Sequence, residues 1–129
     1  MRTGLLRALG AATAVIGTGF VYRPGLMARP AGLAAPDGHV DPRTALAVRA
    51  LGWRDAATGL AMLVAPDGRP LATAAAVRIA LDLGDGAVFG TAVPGRVRRA
   101  GTLAAAGGWA ALTLAGLLGG RRTGAVRAV

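Results

Sequence analysis

The stretch LGWRDAATGL, residues 51–60, places an arginine beside an aspartate in the middle of an apolar segment. The surrounding residues 44–65 have the length of a membrane-crossing helix. Six Leu or Val residues in this segment each favour insertion by roughly 0.3–0.6 kcal/mol, whereas one central Arg or Asp costs roughly 2.5–3.5 kcal/mol. A helix that carries both Arg54 and Asp55 is therefore expected to need a polar partner within the protein.

Four segments of the chain have the length and the apolar composition of membrane spans: residues 3–22, 44–65, 70–91 and 100–120. Pro and Gly cluster in the connections between them, where helices are expected to end. The sequence therefore predicts an all-α, antiparallel, up-down four-helix transmembrane bundle. It forms one domain over residues 1–129, in a multi-pass protein of the cell membrane. The connection between the first two spans, residues 23–43, is long enough to lie along the membrane surface.

The first span has a second interpretation, because an apolar run that follows Arg2 and Arg7 is also typical of a signal peptide. The small residues 32–34 would then form the cleavage site. They lie about a dozen residues beyond the apolar run, which is far for such a site. The distance favours a first helix that is retained.

The composition limits the available chemistry. The chain is 53% hydrophobic and 16% charged, with a mean hydropathy of +0.51, and is more apolar than a typical soluble domain. Lys, Glu, Ser, Asn, Gln and Cys are absent, which excludes Ser and Cys nucleophiles, disulfides, thiolate metal sites and a Schiff-base lysine. No phosphate loop, Rossmann glycine pattern or zinc-protease motif is present, so we expect neither cofactor nor metal. His39, between Asp37 and Asp41, is interpreted as a solvated loop residue.

The net charge of +9 comes from arginines that lie mostly at the ends of the spans. At these positions each arginine contributes roughly 1 kcal/mol to the attraction between the protein and anionic lipid headgroups. We therefore expect membrane lipids as partners and not nucleic acid. Six arginines fall on each side of the predicted bundle, and the positive-inside rule leaves its orientation open. One side carries Arg2, Arg7, Arg69, Arg121, Arg122 and Arg127, and the other carries Arg23, Arg29, Arg43, Arg96, Arg98 and Arg99.

Six charges lie inside the second and third spans and sum to zero: Arg49, Arg54, Asp55, Arg78, Asp82 and Asp85. In an antiparallel hairpin of these spans, opposite charges meet at three depths. Arg54 lies level with Asp82, Asp55 with Arg78, and Arg49 with Asp85. Helical faces allow only the first two pairs, because Arg49 points nearly opposite to Arg54 and is expected to reach the interface beside Trp53.

Two further expectations follow from helix geometry. Arg54 and Asp55 are not expected to pair with each other, because neighbours in a helix point about 100° apart. Asp85 is left as the carboxylate without an assured partner. Gly84 and Gly86 flank it, so we expect the helix to loosen there and to admit water or a ligand.

The cluster has two interpretations at this stage. It fixes the register of two helices, or it marks a site for a ligand, an ion or a proton, with Asp82 and Asp85 as the working acids. The leading functional hypothesis is a small binding or accessory component of a membrane. The alternative is an enzyme on a lipid-like or isoprenoid substrate, in which Asp82 or Asp85 is the general acid or base and Arg54 or Arg78 holds an anionic or carbonyl group. A small proton-coupled transporter ranks third, because the first and fourth spans carry no embedded acid.

Two weaker patterns concern packing. Small residues recur every four positions in the fourth span, and they would let a second copy of the chain approach closely to form a homo-oligomer: Gly107, Ala111, Ala115 and Gly119. Trp53 and Trp109 lie well inside their spans, so they are predicted to be packing residues or pocket walls instead of interface anchors.

The chain also resembles a known family of small four-span integral membrane proteins, defined as a domain of unknown function. The resemblance rests on RALGWRDAATGLAML at residues 49–63, on RIALD at residues 78–82 and on GTGFVYRP at residues 17–24. Its most specific part is Arg54-Asp55 followed by Gly59-Leu60. The resemblance implies an integral membrane bundle with the Arg-Asp pair as its signature, and it implies no particular activity.

Overall fold

The computed structural model describes residues 1–120, and every regular element in that range is a helix. The elements are α1 (Thr3–Tyr22), the single turn α2 (Gly25–Ala28), α3 (Pro42–Val64), α4 (Arg69–Ala92) and α5 (Arg96–Leu118). The all-α prediction is confirmed, and the four long helices overlap the four predicted spans closely. Arg121, Arg122 and Arg127, which were assigned to one side of the predicted bundle, lie outside the described residues.

Two of the long helices, α1 and α5, are long and apolar enough to cross a membrane. The helices α3 and α4 have similar lengths, but their central turns carry the Arg and Asp residues singled out above. By length and composition, the structure therefore gives two helices compatible with a membrane. It does not establish a bundle that crosses four times.

The ends of the helices follow from local sequence. Asp41 caps α3, because its carboxylate accepts hydrogen bonds from the backbone N–H groups of Arg43 (2.9 Å) and Thr44 (3.3 Å), and Pro42 occupies the first helical position. The turns that precede α4 and α5 each contain a glycine with positive φ, 93° at Gly68 and 86° at Gly95. These turns reverse the chain between consecutive long helices.

The closest packing in the molecule joins α1 to α3 along a seam of glycines. A Cβ built on Gly17 would lie 2.6 Å from the carbonyl oxygen of Gly52, and one built on Gly59 would lie 2.5 Å from that of Gly10. Only glycine permits backbones to approach so closely. The seven-residue spacing of Gly10 and Gly17, and of Gly52 and Gly59, is the sequence signal for this seam. Removal of α1 would expose this seam.

The second pair of helices, α4 and α5, joins the first pair through contacts of α3 with α4 and of α1 with α5. A small apolar core lies at one end of the bundle and consists of Leu6, Leu9, Met62, Leu71 and Ala75. The other half of the bundle encloses a cavity instead of a packed core. The apolar core thus lies at one end of the bundle and the cavity at the other.

The connection between α1 and α3 covers the end of the bundle that contains the cavity, and part of it is folded. It contains α2, it contacts both α1 and α3, and it buries Ala28 and Ala31. Gly32, with φ 74°, lies directly against the side chain of Arg98 at the start of α5. The connection, which was predicted to be long enough to lie along the membrane surface, is thus partly folded against the bundle.

The outer surface of the bundle is apolar over much of its area. Val15, Leu46 and Trp53 are 73%, 69% and 67% exposed. The prediction that Trp53 is a packing residue or a pocket wall was therefore wrong. Gly107, Ala111 and Ala115 of the small-residue ridge also face outward on α5.

Candidate functional site

A cavity of about 610 Å³ lies between α1, α4 and α5, under the segment that contains α2. Its walls are apolar over most of their area, with contributions from Ile16, Phe20, Met27, Phe89, Val97, Ala105 and Trp109. Its size is within the range of pockets that hold small organic molecules. The side chains that line the cavity decide what kind of molecule it accommodates.

The polar wall of the cavity comes from α4, with one residue from α3. Arg78, Asp82 and Asp85 are spaced by four and three residues, which places them on one face of α4. Asp55 of α3 completes the wall. The structure therefore brings together four of the residues that the sequence predicts as a cluster.

Arg78 lies at the centre of this wall and is buried, as is Asp82. Its Nε donates to Oδ2 of Asp82 at 3.1 Å, and its Nη2 donates to Oδ1 of the same carboxylate. Its Nη1 donates to Oδ1 of Asp55 at 2.8 Å and contacts the hydroxyl oxygen of Thr58 at 3.5 Å. The predicted pairing of Asp55 with Arg78 is present, and Asp82 belongs to Arg78 within α4 instead of to Arg54.

Arg54 does not line the cavity, but it contacts Asp55 and Asp85 of the polar wall, and its pairing differs from the prediction. Its Nη1 donates to Oδ1 of Asp85 at 2.8 Å and its Nη2 donates to the other oxygen, so Asp85 has a two-pronged partner. Nη2 also donates to Oδ1 of Asp55 at 3.1 Å. Two expectations were therefore wrong, because Asp85 is paired and because the long Arg54 side chain folds back onto its neighbour in sequence.

Arg49 stays apart from the cluster. Its Nε donates to the carbonyl oxygen of Val21 at 3.2 Å, near the end of α1. The pairing of Arg49 with Asp85 that equal depth suggested is absent, as the opposite orientation of Arg49 on α3 had indicated. Arg49 thus serves the contact between α1 and α3.

Asp85 was expected to lie where α4 loosens, and this was also wrong. The helix continues without interruption through Gly84 and Gly86 to Ala92. Gly84 faces open space and Gly86 faces Ala106 of α5. These glycines leave room on the surface of α4 and do not break it.

Two polar atoms of the cluster have no partner among residues 1–120. Oδ2 of Asp55 receives no hydrogen bond from this part of the chain, although Asp55 lines the cavity. Nε of Arg54 is buried without an acceptor. All four carboxylate oxygens of Asp82 and Asp85, by contrast, accept from an arginine. Among the described residues, the cluster therefore has one carboxylate oxygen without a hydrogen bond, at Asp55, and oxygens that already accept from an arginine at Asp82 and Asp85.

Aromatic rings form part of the apolar lining. The chain has two Phe, two Trp and one Tyr, and three of these five line the cavity: Phe20, Phe89 and Trp109. The indole Nε1 of Trp109 donates to the hydroxyl oxygen of Thr13 at 2.8 Å, which fixes the ring between α5 and α1. The prediction that Trp109 is a pocket wall is confirmed. The other aromatic rings were not predicted as site residues, because only the arrangement of α1, α4 and α5 around the cavity brings them together.

The structure gives no sign of a metal site within residues 1–120, since no group of three or more His and carboxylate residues has a suitable arrangement there. In the loop before α3, the backbone N–H of His39 donates to Oδ1 of Asp37 at 2.9 Å. This hydrogen bond shapes a turn. The chemistry of the molecule is therefore concentrated in the cavity.

No protein-family model, no curated protein and no solved structure matches the chain.

Proposed function

We propose that the protein is a multi-pass protein of the cell membrane that binds a lipid-like molecule in the cavity between α1, α4 and α5. The molecule lies with its apolar part against the aromatic and aliphatic walls and with a polar group at Asp55, Arg78, Asp82 and Asp85. In this role the protein acts as a small binding or accessory component of the membrane. The expected membership of the four-span family belongs to the same proposal.

The membrane location is supported by the distribution of apolar and charged side chains. Large apolar side chains such as Val15, Leu46 and Val77 are exposed on the outside of the helices, where lipid would cover them. Exposed arginines lie near one set of helix ends, suited to anionic headgroups: Arg23, Arg29, Arg43, Arg96, Arg98 and Arg99. The charged residues of α3 and α4 form ion pairs with one another, which lowers the cost of placing them in hydrocarbon.

The observation that carries the proposal is the cavity itself, with its two kinds of wall. A cluster that only clasped α3 to α4 would be expected to lie in their shared interface. In this protein, Asp55 and Arg78 pair across that interface, and together with Asp82 they also line an open volume of about 610 Å³. A site of predominantly apolar character with a few convergent polar groups is the usual form of a small-molecule site.

The geometry supports binding more than acid–base catalysis. Each oxygen of Asp82 and of Asp85 already accepts a hydrogen bond from an arginine, so these carboxylates are held in ion pairs and are less available to take a proton from a substrate. Oδ1 of Asp55 is likewise held by two arginines. Binding therefore remains the better-supported role.

Native mass spectrometry after incubation with a polar lipid extract tests the proposal. The variant Ala105→Phe narrows the cavity from α5, and Ala104→Phe adds the same bulk at the neighbouring residue, which is equally exposed but does not line the cavity. We expect the wild type and Ala104→Phe to retain one lipid-like molecule that Ala105→Phe loses. Equal retention by all three proteins, or retention by none, would contradict the proposal.

A further inference from the structure

We propose that the molecule bound in the cavity is a lipophilic monocation: an amine, a quaternary ammonium or a similar cation with an apolar, ring-containing body. This inference rests on the proposed binding function and names the chemical class of its ligand. It is drawn from the hydrogen bonds of the polar wall, from the charge of that wall, and from the aromatic rings that line the same cavity.

The polar wall offers the cavity acceptors and few donors. Each of the three nitrogens of Arg78 already donates to Asp55 or Asp82. Arg54 is not part of the lining, and its terminal nitrogens are directed to Asp85 and Asp55. Among residues 1–120, Oδ2 of Asp55 is the carboxylate oxygen of this wall that accepts no hydrogen bond. An anionic head would compete with three carboxylates for the N–H groups of the two arginines, whereas a cationic head could pair with this oxygen.

The cluster also carries an unbalanced charge. It contains three carboxylates, Asp55, Asp82 and Asp85, against two guanidinium groups, Arg54 and Arg78. In an environment of low dielectric constant, an uncompensated charge is costly unless a counter-charge accompanies it. A monovalent cation in the cavity supplies that counter-charge, and an anion would add to the imbalance.

Arg98 is the remaining charged residue of the lining, and it does not reverse this preference. It is exposed at the beginning of α5, beside Gly32, at the end of the bundle that contains the cavity. Solvent and salt screen an exposed charge far more than a buried one. The buried charges of the wall therefore set the sign that the cavity prefers.

The aromatic rings provide the second independent reason. Phe20, Phe89 and Trp109 line the same cavity as the carboxylates. The faces of aromatic rings attract cations, and rings combined with a carboxylate are a general solution for binding organic ammonium groups. A purely aliphatic ligand would need neither the rings nor the charge.

The charge preference is tested with tetraphenylphosphonium and tetraphenylborate, which have nearly the same size and shape and opposite charge. Equilibrium dialysis of each ion is done with the protein in nanodiscs of uncharged lipid. Binding to Ala105→Phe, whose added ring narrows the cavity, is subtracted to remove the contribution of probe that has partitioned into lipid. Triphenylphosphine oxide serves as the neutral probe.

For the wild type we expect saturable binding of one tetraphenylphosphonium per chain, at least about tenfold tighter than any binding of tetraphenylborate. Asp55→Asn should remove most of this preference. Phe89→Leu, which keeps the wall apolar, should weaken binding of the cation severalfold, whereas Trp53→Leu on the outer surface should leave it unchanged.

The outcomes separate this inference from the proposed function. Binding of all three probes with no preference for the cation, or with a preference for the anion, would overturn the lipophilic-cation assignment and leave the cavity as a binding site. The same binding to wild type and Ala105→Phe, for every probe, would overturn both. The charge comparison uses the wild type, so it stands even if Asp55→Asn does not fold.

Discussion

Arg54 on α3 donates to both carboxylate oxygens of Asp85 on α4, and this pair joins the two helices beside the cavity. The pair is partly buried, with the two side chains 28% and 23% exposed. In a double-mutant cycle with Arg54→Met and Asp85→Leu, we expect each single variant to lose about 1–3 kcal/mol of unfolding free energy, because one charged partner is left unpaired. The double variant should lose less than the sum of the two.

This cycle is measured by unfolding the protein with increasing amounts of sodium dodecyl sulfate in mixed micelles. The cycle of Arg49→Met with Asp85→Leu is the control, because Arg49 does not contact Asp85. Strictly additive losses for Arg54 and Asp85 would show that their contact contributes nothing to stability.

The glycine seam between α1 and α3 should tolerate no added methyl group. A Cβ on Gly17 would lie 2.5 Å from the backbone nitrogen of Ala56, and backbone atoms cannot move aside as a flexible side chain can. We expect Gly17→Ala to cost about 1–3 kcal/mol through forced separation of the helices. Gly108→Ala, at an open position on α5, should be neutral or stabilising by up to about 1 kcal/mol. Thermal unfolding followed by circular dichroism distinguishes the two.

The cap of α3 should make stability depend on pH. The pKa of Asp41 lies below its ordinary value of 3.8, because the side chain and the backbone N–H of Thr44 donate to its carboxylate. A lowered folded-state pKa means that the cap stabilises the protein fully above the unfolded value and that this contribution is lost as pH falls through the folded value.

Asp41→Asn keeps a capping side chain and removes the titration. We expect the melting temperature of the wild type to exceed that of Asp41→Asn near neutral pH, and the difference to shrink once the pH falls below 3.8. Asp37→Asn controls for the loss of one exposed negative charge. A difference that stays constant down to pH about 2 would refute the proposed role of the carboxylate.

The hydrogen bond between Trp109 and Thr13 should hold the aromatic wall in place. Thr13→Val keeps the shape of the side chain and removes the acceptor for the indole N–H. We expect a loss of about 1–3 kcal/mol, because Thr13 is buried and the indole N–H is left unsatisfied. Unfolding followed by Trp109 fluorescence, in a Trp53→Phe background, measures it. Thr18→Val on the exposed face of α1 should have little effect.

The sequence predicts the helices well because their bounds depend on local properties. Apolar length, Asp41 with Pro42 before α3, and the glycines at the turns are all visible in the chain. The membership of the cluster is visible for the same reason, since a charge in an apolar helix must find a partner. Arg49 is the exception, and its position on the opposite face of α3 explains its absence.

The choice of partners within the cluster is not a local property. Equal depth in an ideal hairpin assigns Arg54 to Asp82, but Arg54 reaches Asp85, about one helical turn further along α4. A long, flexible guanidinium side chain covers such a distance, and small shifts between helices decide which carboxylate it meets. The cavity could not be predicted from the sequence for a related reason, because its walls come from α1 and α5 as well as from the two charged helices.

The central claim, that the cavity is a binding site, is tested most directly by fluorescence quenching with dibromoundecanol, a neutral quencher with an apolar chain. Trp109 lines the cavity and Trp53 lies on the outer surface, so the variants Trp53→Phe and Trp109→Phe each report one environment. We predict saturable quenching of Trp109, abolished by Ala105→Phe, and quenching of Trp53 that only rises in proportion to the quencher in the membrane. Proportional, unsaturable quenching of both tryptophans would contradict the account.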